Sequence, residues 1–198
     1  MADSETYPLD RREVVKEMLA DRGDLAVVAG LGACAWDITA AGDHDLNFPL
    51  WGAMGGAASI GLGLALAQPD RRVLVLTGDG EMLMGLGSLA TIALQKPENL
   101  AVVVLDNERY GETGMQRTHT AFGVDLPAAA AAAGFPVTGL VQDQPELDAS
   151  LPIILESPGP VFYSIKVKAE ELEFVLPAND GVILKNRMRA VLVGEDAN

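Results

Sequence analysis

The sequence predicts an α/β protein, a three-layer α/β/α fold around a mostly parallel sheet, and three features carry that expectation. Short continuous apolar runs alternate along the chain with longer helix-like segments, the pattern of strands joined by crossover helices. The two strongest runs, Arg72 to Thr77 and Leu100 to Leu105, are unbroken apolar stretches rich in Val and Leu, as expected of strands covered on both faces. Glycine-rich or polar segments follow the runs at their C-terminal ends, where open α/β sheets bind ligands.

Taken in order, Arg11 to Asp21 reads as an amphipathic helix with Glu13 and Glu17 on its solvated side, and Leu25 to Ala29 as the first buried strand. Gly30, Gly32 and Ala33 then form a loop at the binding edge. Gly55 to Ala67 is a small, apolar, glycine-rich helix. The strand at Arg72 to Thr77 leads into a helix over Glu81 to Gln95, stopped at Lys96-Pro97. After the strand at Leu100 to Leu105, Asp125 to Ala133 offers an Asp start and a Gly134 end, and Gln144 to Leu151 forms a further helix. Pro160 to Val167 alternates more than the other strands, which places it nearer the sheet edge. The stretch 169–198 is charged and includes a helix near Val182 to Leu192, a tail that docks on this domain or on a neighbour. There is no internal repeat.

A chain of 198 residues is long enough for one domain with a substantial core, so residues 1–198 read as a single domain with a possible docking tail. No apolar run reaches the length of a membrane span, and the segment Met1 to Asp10 lacks the basic start and apolar stretch of a signal peptide. Cys34 is the lone cysteine, which excludes an internal disulfide and makes the cytoplasm the default location. A formal net charge of −14 argues against a nucleic-acid partner, since neutralising phosphates takes clustered Lys and Arg. It leaves a small anion possible, because helix N-termini bind phosphate whatever the total charge.

Chemistry concentrates at two strand ends. Gly78-Asp79-Gly80-Glu81 sets a lone aspartate between glycines at the end of one buried strand, just before a helix N-terminus that favours anions. The aspartate would repel a bare phosphate, so a cation between them makes best sense. One helix and one strand later comes Asp106-Asn107-Glu108-Arg109-Tyr110-Gly111, returned to the same edge by a right-handed crossover. Asp79, the Asn107 amide oxygen and a nearby backbone carbonyl are hard oxygen ligands; with two diphosphate oxygens and a water they complete an octahedron suited to Mg²⁺. Taken singly, Gly78-Asp79-Gly80 also reads as a turn and Asn107 as a turn residue or helix cap. The pair at this spacing is the more specific signal.

These segments resemble the metal-binding signature of thiamine-diphosphate enzymes, in their diphosphate-binding (PP) domain. The resemblance extends from about Val27 to Val167. It is nearest to the separate β-subunits of sulfopyruvate decarboxylase and the C-terminal part of phosphonopyruvate decarboxylase, through Asn47 to Gly55, Gly78-Asp79-Gly80, and Leu105 to Gln116. The resemblance implies that Asp79 and Asn107 side chains and the Arg109 carbonyl hold Mg²⁺. It implies that backbone amides of Gly80 and Glu81 meet the diphosphate of thiamine diphosphate, with Gly78, Tyr110 and Gly111 in the same cofactor site. The Gly52 carbonyl would accept from the cofactor's exocyclic amine, and Met54 would enforce the bent cofactor; without the resemblance these are a loop glycine and a core methionine.

The implied reaction is decarboxylation of a small 2-oxo acid, releasing CO₂ and an aldehyde. His119 is the candidate proton donor or substrate contact, and Thr113, Gln116, Arg117 and Thr118 are substrate candidates; the same stretch reads equally as a surface loop. Glu112 and Met115 stand where the family pattern has small residues, which leaves a non-sulfonated 2-oxo acid plausible. The pyrimidine-binding (PYR) domain, whose glutamate tunes the cofactor, has no counterpart here. A separate PYR subunit is therefore the expected partner, in a hetero-oligomer expected to be a dimer of heterodimers. The competing readings are a subunit of another carboligase, acetolactate synthase- or transketolase-like, and a non-catalytic cofactor-binding subunit. A dinucleotide module is disfavoured, since no G-x-G-x-x-G opens a helix after the first strand. His44 reads as a surface residue, and Trp36 and Trp51 as core or interface.

Overall fold

The computed structural model describes residues 6–194. Its elements in chain order begin with helix α1 (Arg11–Met18), strand β1 (Ala26–Ala29), α2 (Ala33–Ala40), β2 (Asn47–Pro49) and α3 (Ala57–Ala67). There follow β3 (Val73–Gly78), α4 (Asp79–Met84), α5 (Ser88–Gln95), β4 (Leu100–Asp106) and a short ribbon of β5 (Arg109–Tyr110) and β6 (Gln116–Arg117). The chain ends with α6 (Leu126–Ala133), β7 (Val137–Val141), α7 (Gln144–Glu156), β8 (Val161–Lys166) and α8 (Gly181–Val193). Six strands make one sheet in the order β2-β1-β3-β4-β8-β7, parallel at every pairing, while β5 and β6 pair antiparallel outside it.

Every residue of β1 and β4 is buried, because helices cover both faces of the sheet. On one face α1, α2 and α7 bury Val15, Ile38, Leu147 and Ile154 against Val27, Leu74 and Val103. On the other, α3, α5, α6 and α8 bury Leu62, Ile92, Ala130 and Met188 against Val28, Val75 and Val102. The alternate residues of each strand thus feed two cores, and each fully buried Leu or Ile contributes roughly 1.5–3 kcal/mol of transfer free energy. Among the described residues no helix is long and apolar enough to cross a membrane.

Three sequence expectations are corrected. The strand at 161–166 is not at the sheet edge: β8 lies between β4 and β7, and the edge is β7, which carries half-buried residues and Gly139. The expected helix at 81–95 is two helices broken at Gly85-Leu86-Gly87. The break lets Gly85 pack on the loop before α3, where an added Cβ would stand 2.3 Å from the Gly55 carbonyl oxygen. The helix expected over Gln144 to Leu151 runs on through Pro152 to Glu156, because buried Ile154 anchors its last turn and outweighs the one bond the proline removes. Helix α2 and the edge strands β2 and β7 had no periodic signal to announce them.

The tail docks on its own sheet. α8 packs against β2, and Arg187 grips Asp43 through both guanidinium nitrogens at 2.7 and 2.8 Å. The connecting segment crosses the ligand edge, where Trp51 Nε1 donates to the Ala178 carbonyl and Phe174 meets Trp36 edge-on. The first five residues of the polar N-terminal start and the tail's last four lie outside the described residues.

Candidate functional site

β3 and β4 are parallel neighbours with Gly78 beside Leu105, so Asp79 and Asp106-Asn107 leave the sheet side by side. Asp79 and Asn107 line one cavity, together with Gly78, Gly80, Glu81, Met54, Arg109, Tyr110, Gly111, Glu112 and Thr113. The connection from β3 through α4 and α5 to its parallel neighbour β4 brings them there, as expected from the spacing of the two segments.

Asp79 is 2 % exposed and opens α4. Its Oδ2 accepts from the Thr118 hydroxyl, and the single proton of the Thr120 hydroxyl is shared between Asp79 Oδ2 at 3.1 Å and Asp106 Oδ1 at 2.8 Å, both threonines being buried. Burial, then the charge of Asp106, push the Asp79 pKa up to about 7 against the pull of the two threonines, and Asp79 forms no ion pair with Lys or Arg among the described residues. Asp106, on the next strand, is different: Lys166 Nζ sits 2.8 Å from it and 2.8 Å from Glu108. Among the described residues one buried acid has a cation beside it and the other does not. A hard cation is what the second one fits.

Asn107 is pinned by an Asx turn in which its Oδ1 accepts from the Arg109 amide at 2.9 Å. That bond sets the Arg109 backbone against Asn107. Glu108, at φ 59°, turns its side chain away to bond Tyr7 and Lys166. No group of three or more His, Cys, Asp or Glu side chains able to hold a metal occurs among the described residues. A site here would need the amide and carbonyl oxygens that the sequence reading named.

The glycines at the site have distinct reasons. A Cβ on Gly80 would meet the Tyr110 ring at 2.4 Å, so this glycine admits an aromatic packed over the start of α4. Gly78 and Gly52 face open space, consistent with room for a ligand. Met54 is 40 % exposed and lines the cavity from a loop in which Ala53 (φ 58°) and Gly55 (φ 85°) both hold left-handed backbone. A non-glycine residue in that region stores strain, which recurs where a fold presents a group to a ligand.

Other expected site residues are placed differently. His119 is exposed and is not among the cavity-lining residues; it opens a 3₁₀ turn between the two buried threonines. Gly52 is exposed beside the cavity and does not line it. Thr113 lines it, and its hydroxyl donates to Gln116 Oε1 at 2.9 Å. Gln116 and Arg117 are exposed on β6, with the Arg117 guanidinium 5.7 Å from the centre of the Phe122 ring. Thr118 is fully buried on Asp79, which removes it as a substrate contact. Glu13 and Glu17 are exposed, as read. His44 is half-buried, its Nδ1 accepting from the Leu46 amide, and Trp36 is buried edge-on to half-exposed Trp51.

Sequence reasoning missed Thr120, Lys166 and Arg11. The first two belong to a network that assembles only when β4, β8 and the loop after β6 meet. Arg11 lines the cavity wall, where it is tied to buried Asp37 at 3.1 Å. A lone Arg in a helix and a lone Asp in another carry no signal of pairing.

Comparison with known proteins agrees with this geometry. The family model for the thiamine pyrophosphate enzyme C-terminal TPP binding domain matches residues 31–165. The chain is similar to the sulfopyruvate decarboxylase subunit beta of Methanothermobacter thermautotrophicus, with 41 % identity over 160 residues, 81 % of this chain and 83 % of that one. It is 41 % identical over 150 residues to the phosphonopyruvate decarboxylase of Streptomyces viridochromogenes, 76 % of this chain but only 37 % of that protein. Among solved structures, a protein of Mycobacterium smegmatis described as thiamin diphosphate-dependent superposes with a TM-score of 0.70 at 24 % identity, over 82 % of this chain and 32 % of that one. That last likeness concerns the fold alone.

Proposed function

Because the chain belongs to the thiamine pyrophosphate enzymes, through their C-terminal cofactor-binding domain, we propose that it is the PP subunit of a two-subunit 2-oxo acid decarboxylase of the sulfopyruvate/phosphonopyruvate type. The observation that carries the proposal is the pairing of Asp79 with Asn107 over one cavity, with Asp79 buried and in no Lys or Arg ion pair among the described residues. Relatives named sulfopyruvate decarboxylase subunit beta, of about this length, support the subunit reading.

In this reading Asp79, Asn107 and the Arg109 carbonyl would hold Mg²⁺, which would offset the charge of the cofactor's diphosphate. Thiamine diphosphate, when bound, supplies the electron sink that decarboxylation of a 2-oxo acid requires. The protein's part is placement. Thr118 and Thr120 hold Oδ2 of Asp79 and so fix which oxygen faces the cavity. The first amides of α4, at Gly80 and Glu81, present donors and the positive end of a helix dipole to an anion. Gly52, Gly78, Tyr110 and Gly111 complete the cofactor surface, and Met54 presses from the β2–α3 loop. Thr113, Gln116 and Arg117 remain the substrate-side candidates. His119 is exposed in this chain, so a proton-transfer role depends on the partner closing over it.

The catalytic glutamate of the aminopyrimidine side comes, on this proposal, from a PYR subunit in a dimer of heterodimers, and the described residues act as one PP domain closed by its own tail. A cytoplasmic location is part of the same proposal. One observation favours a substrate without a second acid group: Glu112, Glu170 and Glu171 line the cleft beside the cofactor cavity, and its one arginine, Arg11, is committed to Asp37.

The test is reconstitution with the PYR partner, followed by CO₂ and aldehyde assays on sulfopyruvate, phosphonopyruvate and simple 2-oxo acids with and without thiamine diphosphate and Mg²⁺. Turnover should need both, and Asp79→Ala should abolish it. Full activity in that variant would sink the metal assignment. A carboligation product in place of free aldehyde would move the protein to the acetolactate- or transketolase-like enzymes, and cofactor binding without turnover to a non-catalytic role.

A further inference from the structure

Glu81 entered the site as a backbone amide, yet its side chain is the more unusual feature. It is 5 % exposed, lies in the wall of the cavity and forms no ion pair with Lys or Arg among the described residues. Thr77 Oγ1 donates to its Oε2 at 3.0 Å. The backbone N–H groups of Ala57, Gly55 and Leu31 also act on the same carboxylate without forming hydrogen bonds to it; Oε1 is buried with no hydrogen-bond partner. Burial pushes its pKa up, and Thr77 with the three amides pulls it back. The fit is tight on the β1 side, where a Cβ on Gly30 would fall 1.7 Å from Oε2.

Those three amides belong to separate elements. Leu31 lies in the turn leading β1 into α2. Gly55 belongs to the strained loop carrying Met54. Ala57 is the first residue of α3, an eleven-residue helix whose N-cap, Gly56, offers no side chain to its unpaired first-turn donors. A carboxylate 24 positions further along the chain faces that helix start, where a negative charge is stabilised by the dipole.

We infer that the Glu81 carboxylate is a positioning group: it braces the β1–α2 turn and the Met54 loop against β3 and serves as a non-local counter-charge to the start of α3. The brace holds the Ala53–Gly55 backbone in its left-handed conformation and so keeps Met54 at the cavity. Its meaning for the cofactor rests on the function proposed above; the brace itself does not.

The experiment measures amide hydrogen exchange on the full chain without metal or cofactor. In Glu81→Ala, exchange at Leu31, Gly55 and Ala57 should quicken about twofold or more, as the negative charge acting on them is removed, while β4 amides stay protected. Glu81→Gln, which keeps the volume but turns a donor toward the three donors, should give the same pattern at smaller amplitude and reports the effect should the alanine variant not fold. Gly30→Ala, which displaces the carboxylate from the other side, should reproduce it. Unchanged exchange at the three amides in the glutamate variants would overturn the inference, as would equal acceleration in β4. Thiamine diphosphate and Mg²⁺ titrations of the complex form the second arm: Glu81→Ala should weaken cofactor binding, whereas Asp79→Ala should lose it without moving the three amides. A native complex that binds no thiamine diphosphate would refute the decarboxylase reading and leave the exchange result standing.

Discussion

At the scale of single residues, the site is organised by the unequal treatment of two buried acids. Asp106 is paired with Lys166, and Asp79 has the hydroxyls of Thr118 and Thr120 and its own backbone amide, with no Lys or Arg ion pair among the described residues. A carboxyl raised from 3.8 to about 7 in the fold favours its protonated form there. Its contribution to stability is therefore fully present below the unfolded value and is lost as pH rises toward 7. The metal-free chain should accordingly melt at progressively lower temperature between pH 5 and pH 7.5, the window above the range where carboxylates with lowered pKa, such as Asp43, begin to protonate. Mg²⁺ with thiamine diphosphate should raise the melting temperature more at pH 7.5 than at pH 5.5, because the ion competes with the proton. Thermal melts at the two pH values decide it: equal stabilisation at both would remove Asp79 from the metal site.

Elements show how the same residue type serves opposite ends. Gly61 and Gly63 sit two positions apart in α3, and both look like helix-weakening glycines. Gly61 faces the sheet, where an added Cβ would meet Val75 Cγ2 at 2.1 Å; Gly63 is exposed with open space around it. Gly63→Ala should stabilise the protein by about 0.5–1 kcal/mol through helix propensity alone. Gly61→Ala should destabilise it by roughly 1–3 kcal/mol by overpacking the helix–sheet contact. Urea unfolding of both variants checks the contrast, and a stabilising Gly61→Ala would mean that α3 stands off the sheet. The start and stop of α6 were readable because they are local: Asp125 accepts from the Ala128 amide and Gly134 closes the helix at φ 112°. The break between α4 and α5 was not readable, since its cause is a backbone contact with Gly55, remote in sequence.

For the whole molecule, the ligand end of the sheet is unfinished. Trp51 (43 %), Met54 (40 %), Met84 (68 %) and Phe122 (66 %) remain exposed, and Met84 lies against Gly55 beside the Met54 loop. If a PYR subunit covers this end, Met84→Glu should weaken assembly about tenfold or more while leaving the melting temperature of the separate chain nearly unchanged, as burying an unpaired charge in an interface is costly. Sedimentation of the mixed subunits measures it, and undiminished assembly would place the partner elsewhere.

By itself the sequence determined the three-layer class, the two central strands and the meeting of Asp79 with Asn107, because these follow from local apolar period, strand-end glycines and the handedness of a crossover. Only the tertiary structure decided that, among the described residues, Asp106 has a lysine beside it and Asp79 does not, that Thr118 is buried on Asp79, that His119 faces solvent and that the Glu81 carboxylate is buried against Thr77 and Gly30. Each of those depends on which groups from distant segments share a few ångströms of low-dielectric space, and pairing of that kind leaves no period in a linear chain.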